Sequence, residues 1–414
     1  MVSALFAVEP DDDATLLLTV TGRDRPGVTS ELFAALGRHN VDVLDIEQVV
    51  IRGRLVLGVL VTSPAENSGL GEDLRQVAAS LDLQIELAPG RSERRTAVHR
   101  AHVTVIGHPL RPVPVSAVAR RIADTGANID RIVRLAAYPV TSVELEVSGA
   151  DPATLRADLA AVAVAQGIDL AVQPAGLSRR AKRLIVMDVD STLVQGEVIE
   201  MLAERAGVLG EVAEVTAAAM RGELDFADSL RRRVRLLAGL PVAALAEVGR
   251  NVTLTAGART LVRTLKRLDY RLAIVSGGFT QITDHIVDDL EIDYAAANTV
   301  AVADGRLTGE LVEPILDRAG KADAMARFAE QAGVPLAQTV AIGDGANDLD
   351  MIARAGLGVA FNAKPLVRDA ADTAVSVPYL DTVLYLLGIS REDVEAADAA
   401  DGQPTPSPPV PPSA

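Results

Sequence analysis

The chain has 414 residues, 49% of them apolar and 23% charged, with a formal net charge of -16 and a pI near 4.8. Such an excess of acid argues against nucleic-acid or anionic-membrane partners, and the absence of cysteine excludes disulfides, thiolate metal sites and cysteine nucleophiles. No apolar run reaches the roughly 18 residues of a membrane span, and MVSALFAVEPDDDAT lacks the basic lead and apolar length of a secretory signal, so a cytoplasmic protein is expected. The length exceeds what one core accommodates and predicts two or three domains.

The first 180 residues carry a weak internal repeat. LLLTVTG at Leu16–Gly22 returns as HVTVIG at His102–Gly107, so that Gly22 and Gly107 correspond. Each copy runs through a proline-containing loop into an amphipathic helix (ELFAALGRHN, then SAVARRIADTG) and on into alternating strand-like segments. The order strand, helix, strand, strand, helix, strand predicts two α+β modules, residues 1–95 and 96–178, each an antiparallel sheet with helices on one face. His99 and His102 have helical spacing but no clear third ligand, which favours a solvated linker over a zinc site. The basic stretch from Ala175 to Arg183 also reads as a solvated linker.

Beyond it, Leu184–Met187 is an apolar run suited to a buried parallel strand, ending in Asp188-Val189-Asp190-Ser191-Thr192. In open α/β sheets ligands bind at the carboxyl ends of strands. Two carboxylates there could serve as nucleophile and as acid and base. Leu272–Val275 is a second such run, ending in Ser276-Gly277-Gly278, whose backbone can approach an anion closely. Lys321 follows Gly320 at the start of a helical pattern, and Thr339–Ile342 ends in Gly343-Asp344-Gly345-Ala346-Asn347-Asp348, a set of oxygen ligands suited to Mg²⁺. Between Thr192 and Thr255 the pattern is helical. The tail from residue 394, rich in proline, alanine and acid, is expected to be disordered.

DVDST, SGG, the Gly-Lys pair and GDGAND, in this order and spacing, resemble the four motifs of the haloacid dehalogenase phosphatase superfamily, and more narrowly phosphoserine phosphatases, over roughly 200 residues from Leu184 to Leu387. The resemblance implies a Rossmann-like parallel sheet over residues 179–393 with a helical cap at about 195–255. It implies Asp188 as nucleophile, Asp190 as proton donor and acceptor, and Mg²⁺ held by Asp188, Asp344 and the backbone carbonyl of Asp190, with Asp348 in support. Ser276, Gly277, Lys321 and Asn347 would bind the phosphate end of O-phosphoserine. Glu197 would face the amine, Arg233 the carboxylate, and Met220 and Phe226 the carbon atoms. Adjacent arginines point to different faces, so only one of Arg231, Arg232 and Arg233 is expected to reach the crevice.

The segment TGRDRPGVTSELFAALGRHNVDVLDI resembles an ACT domain, a small amino-acid-binding module. This implies two N-terminal ferredoxin-like modules, an effector such as serine near Gly22, Asp24 and Gly27, and a homo-oligomer, expected to be a dimer. The second copy lacks counterparts of Asp24 and Gly27 and is not expected to bind ligand in the same way. Two rivals stand beside this reading: another small phosphate ester or a phosphoryl acceptor other than water, and an amino-acid sensor with a decayed catalytic half.

Overall fold

A computed structural model describes residues 15–63, 69–90, 99–176, 179 and 181–406, without the side chain of Met220. The chain divides into two units, residues 1–96 and 97–414. In the first, strands β1 (Thr15–Arg23), β2 (Val43–Ile51), β3 (Arg54–Thr62) and β4 (Leu83–Pro89) alternate with helices α1 (Val28–Gly37) and α2 (Leu70–Leu81). The antiparallel order is β2-β3-β1-β4. Strand side chains alternate between faces, so Leu55, Leu57, Val59 and Val61 of β3 all point one way and are buried with Leu32, Leu36 and Leu74 of the helices. Strand β2 is exposed along all of its nine residues. Gly22 lies next to the end of β1, where a Cβ would lie 2.4 Å from Leu83 Cδ2. Gly27 opens α1 at a φ of 96°, left-handed backbone that favours glycine.

The second unit starts with the same topology. Strands β5 (Arg100–Gly107), β6 (Asn128–Ala136), β7 (Thr141–Ser148) and β8 (Asp169–Pro174) flank helices α3 (Pro112–Asp124) and α4 (Pro152–Gln166) in the order β6-β7-β5-β8. Strand β9 (Leu184–Asp188), apolar up to its closing aspartate, then lies parallel between β10 (Arg271–Phe279) and β13 (Thr339–Gly343). A fully buried strand needs no alternation, and all five residues of β9 are buried. After β9 come helices α5 (Val198–Ala206), α6 (Leu209–Met220), α7 (Phe226–Leu236) and α8 (Val242–Asn251), with their own core of Leu202, Leu230, Val234 and Leu245. Helix α9 (Ala258–Arg267) leads into β10, and α10 (Thr280–Leu290), α11 (Arg318–Gln331) and α12 (Leu349–Arg354) follow later strands, with the antiparallel pair β11 (Tyr294–Ala303) and β12 (Arg306–Val312) at one edge. Strand β14 (Gly358–Phe361), helix α13 (Pro365–Ala370), strand β15 (Thr373–Val375) and helices α14 (Val383–Leu386) and α15 (Arg391–Ala400) complete the unit.

The second module is not a separate body. Its strand β8 pairs antiparallel with β15 at Thr373 and Ala171, which joins the two sheets into one of eleven strands. Ser376 N donates to Asp169 Oδ2 at 2.7 Å, Gln173 Nε2 to the Leu386 carbonyl at 2.7 Å, and Arg156 pairs with Asp372. Ile106, Leu135 and Ala171 of the module belong to the same apolar core as Leu380, Val383 and Leu386.

Two expectations are corrected here. The stretch read as a solvated linker is anchored: Arg179 forms a buried ion pair with Glu144, whose Oε1 lies 3.2 Å from His102 Nδ1. Lys182, 5% exposed, donates to the Ala337 carbonyl at 2.7 Å. The tail expected to be disordered from residue 394 instead continues helix α15. Ser390 caps that helix by accepting from Asp393 N, and the fully buried Asp398 carboxylate accepts from Arg263 and Arg267. Capping and one inward carboxylate order a segment whose composition is otherwise polar. Residues 407–414 lie outside those described.

Candidate active site

The carboxyl ends of β9, β10 and β13 open on one side of the sheet, facing helices α5 to α7. Asp188 ends β9 and is 2% exposed. The chain then makes a tight turn over Val189–Leu193, with Ser191 at a φ of 58°. The turn directs Asp190 sideways: its Oδ1 accepts from Val198 N at 2.8 Å and its Oδ2 from Ser276 Oγ at 3.1 Å. Gly278 N in turn donates to Ser276 Oγ at 2.8 Å.

Lys321 enters from the first turn of α11, which Asp317 caps by accepting from Gly320 N at 2.8 Å. Its ammonium is fully buried and donates to Asp188 Oδ1 at 2.5 Å and Asp348 Oδ1 at 2.7 Å. Asp348 Oδ2 also accepts from Gly345 N at 3.0 Å. Gly343 is required here, because a Cβ would fall 2.5 Å from the Asp348 carboxylate. Asp188, Asp344 and Asp348 each offer an oxygen within 4.8 Å of the others. That all-oxygen donor set fits a hard divalent cation. The Asp190 carboxylate is committed to Val198 N and Ser276 Oγ, outside this cluster.

Burial, then the charge of Asp348, holds the Asp188 carboxyl well above the usual carboxylate range. Burial also raises Asp190 against the hydrogen bond from Val198. Burial pushes Asp344 up to about 6, with Asp348 adding to it. For Lys321 burial works downward, but the charges of Asp188 and Asp348 outweigh it and the amine is raised. Lys321 therefore sits beside carboxyl groups, of which Asp188, Asp190 and Asp344 are each raised by burial.

Above this floor is a cavity of about 450 Å³ bounded by the helical layer. Glu197, just before α5, accepts from Ser191 Oγ at 3.3 Å, and burial with the charges of Asp190 and Asp344 pushes it up to about 7. Of the three adjacent arginines, Arg231 pairs with Asp228 and Glu313 at the surface and Arg232 is exposed, whereas Arg233 lines the cavity. Phe226 and Asn347 line it too, and a Cβ on Gly277 would lie 3.2 Å from Phe226 Cζ. Met220 ends α6, and its side chain lies outside the described residues. Sequence reasoning missed Ile199, Thr216, Ser229, Arg318 and Lys364, which also line the cavity. Ser229 sits four residues before Arg233 on the same helix, a spacing that could have exposed it.

Residues 185–353 match the haloacid dehalogenase-like hydrolase family, and residues 14–88 and 99–173 each match an ACT domain. The chain is 60% identical to a phosphoserine phosphatase of Streptomyces coelicolor over 95% of this chain and 97% of that protein. It is 52% identical to a phosphoserine phosphatase of Mycobacterium tuberculosis, covering 94% and 96%. Among solved structures it is similar to a probable phosphoserine phosphatase from Vibrio cholerae, with a TM-score of 0.55 and 35% identity over 73% of this chain and 88% of that one. It is also similar to a haloacid dehalogenase family hydrolase from Salmonella enterica, with a TM-score of 0.61 and 27% identity over 69% and 98%. Identity this high along both full lengths leaves one assignment: the chain belongs to the phosphoserine phosphatase family of haloacid dehalogenase-like hydrolases, and it carries two ACT domains ahead of the catalytic fold.

Proposed function

We propose that the enzyme hydrolyses O-phospho-L-serine to L-serine and phosphate, through a phosphorylated Asp188. The observation that carries this reading is the presence of Glu197 and Arg233, a half-buried acid and a half-buried cation, in one cavity with Asp188, Asp190 and Gly277. An amino-acid phosphate has an ammonium, a carboxylate and a phosphate, and this cavity offers a group of opposite sign to each.

In the first step an Asp188 oxygen bonds to phosphorus as the bond from phosphorus to the serine oxygen breaks, and Asp190, whose carboxyl burial raises, gives that oxygen its proton. In the second step the Asp190 carboxylate takes a proton from water as the water oxygen attacks phosphorus and Asp188 leaves. Ser276 Oγ, the backbone N–H of Gly277 and the Lys321 ammonium hold the phosphoryl oxygens, and Asn347 supports them. Asp188 and Asp344, with the backbone carbonyl of Asp190 and with Asp348 in support, would hold Mg²⁺, which lowers the repulsion between an attacking carboxylate and a phosphate. Cap helices α5 to α7 keep bulk water out during transfer.

Arg233→Ala should raise KM for phosphoserine by about 100-fold, as expected for loss of a charge-assisted carboxylate contact, while turnover of an aryl phosphate changes little. Parallel losses on both substrates would remove the carboxylate role. A pH profile tests Glu197. Below about 7 its carboxyl is neutral and cannot attract an ammonium, so kcat/KM for phosphoserine should rise as pH climbs through that value. A phosphate ester without an amine should lack this limb, and a shared limb would assign the titration elsewhere.

The ACT domains belong to regulation in this reading. Serine or a related amino acid would bind near Gly22, Asp24 and Gly27, at a helix N-terminus favourable to its carboxylate. The protein would be a cytoplasmic homodimer, its exposed strand β2 being an edge open to pairing. Among the described residues no helix is long and apolar enough to cross a membrane.

A further inference from the structure

Cap helix α7 carries two buried polar atoms without a partner, both on residues that line the same cavity. Ser229 is 2% exposed, and neither its Oγ nor Arg233 Nε has a hydrogen-bond partner among the described residues. The two residues stand one helical turn apart, so their side chains share a face, and both line the cavity. A serine inside a helix ordinarily satisfies its hydroxyl on the carbonyl four residues back. Thr216 on α6 does this, donating to the Val212 carbonyl at 3.0 Å. Ser229 does not: the Asp225 carbonyl accepts from its backbone N–H at 3.0 Å, while the buried hydroxyl is left without a partner among the described residues. Alanine would suit the helix better and would bury no polar atom. The hydroxyl at this position therefore needs a reason outside the protein.

We propose that Ser229 is a substrate-binding residue whose hydroxyl donates to the substrate carboxylate beside Arg233, and so discriminates amino-acid phosphates from aminoalkyl phosphates. This rests on the reading of the cavity as a phosphoserine site. The carboxylate is the partner because Arg233, on the same helical face, is the cation that draws it there. The ammonium belongs with Glu197, which is tied to Ser191 rather than to α7. Leu230, Ile199 and Phe226, which line the same cavity, are apolar, and in such surroundings a hydroxyl donating to a carboxylate is strengthened.

The test uses the full-length enzyme with Mg²⁺ and three substrates: O-phospho-L-serine, O-phosphoethanolamine, which lacks the carboxylate, and 3-phosphonooxypropanoate, which lacks the amine. Ser229→Ala should raise KM about tenfold for the two carboxylates and leave kcat nearly unchanged. KM for phosphoethanolamine should not move, and Tm of the ligand-free variant should be equal or higher. Ser229→Cys, similar in size and a poor donor, should show the same split. An unchanged KM for phosphoserine, or an equal rise on all three, overturns the proposal. A wild-type enzyme that fails to prefer phosphoserine over phosphoethanolamine sinks the substrate reading itself. A wild type that discriminates, beside a Ser229→Ala variant that discriminates equally, sinks only the role of Ser229.

Discussion

Asp188→Asn should abolish phosphate release, with turnover falling by about 10⁴-fold or more, while phosphoserine still binds. The amide is nearly isosteric, so the buried contacts of Asp188 are kept in shape, but its oxygen is a poor nucleophile toward phosphorus. Because the native carboxylate is 2% exposed and raised by burial and by Asp348, removing its charge should leave Tm unchanged or higher. Phosphate release and calorimetric binding, measured on the same preparation, separate chemistry from recognition. Near-normal release from this variant would end the nucleophile assignment.

Lys321→Met should damage stability as well as catalysis. The methionine fills most of the space of the lysine stem but leaves Asp188 and Asp348 facing one another without the buried cation. Breaking a buried charge network by removing one partner costs about 3–5 kcal/mol, and losing one phosphoryl-binding cation should cost turnover about 10²–10³-fold. A divalent cation can replace part of the missing positive charge, so Mg²⁺ should raise Tm of the variant more than that of the wild type. Equal shifts on thermal melts with and without Mg²⁺ would show that the carboxylates are not what the lysine compensates.

The catalytic floor was legible in the sequence because buried parallel strands are written as short apolar runs, and the residues just beyond their ends have little freedom to be anywhere else. Asp188, Ser276 and Asp344 all follow such runs, and the structure brings those strands side by side. Gly343 could be read as part of a polar loop, but its reason is the Asp348 carboxylate packed against it, a contact visible only in three dimensions. Arg179 and Lys182 misled for the same reason: a basic stretch looks solvated until Glu144 and the Ala337 carbonyl are found opposite. The fused sheet was illegible because β15 has only three residues, too few for any period to declare itself. Ser229 could be read only as a neighbour of Arg233 on one helical face; that its hydroxyl lacks a partner among the described residues is visible only in three dimensions.

The junction of β8 with β15 has a practical bearing on dissecting the enzyme. Excising everything before Arg183 would not free a catalytic chassis from regulatory cargo. It would peel a neighbour off β15 and strand Asp372 and the Leu386 carbonyl, which Arg156 and Gln173 now serve. The severable piece is the unit ending at Thr96, while the second ACT domain is masonry of the hydrolase itself.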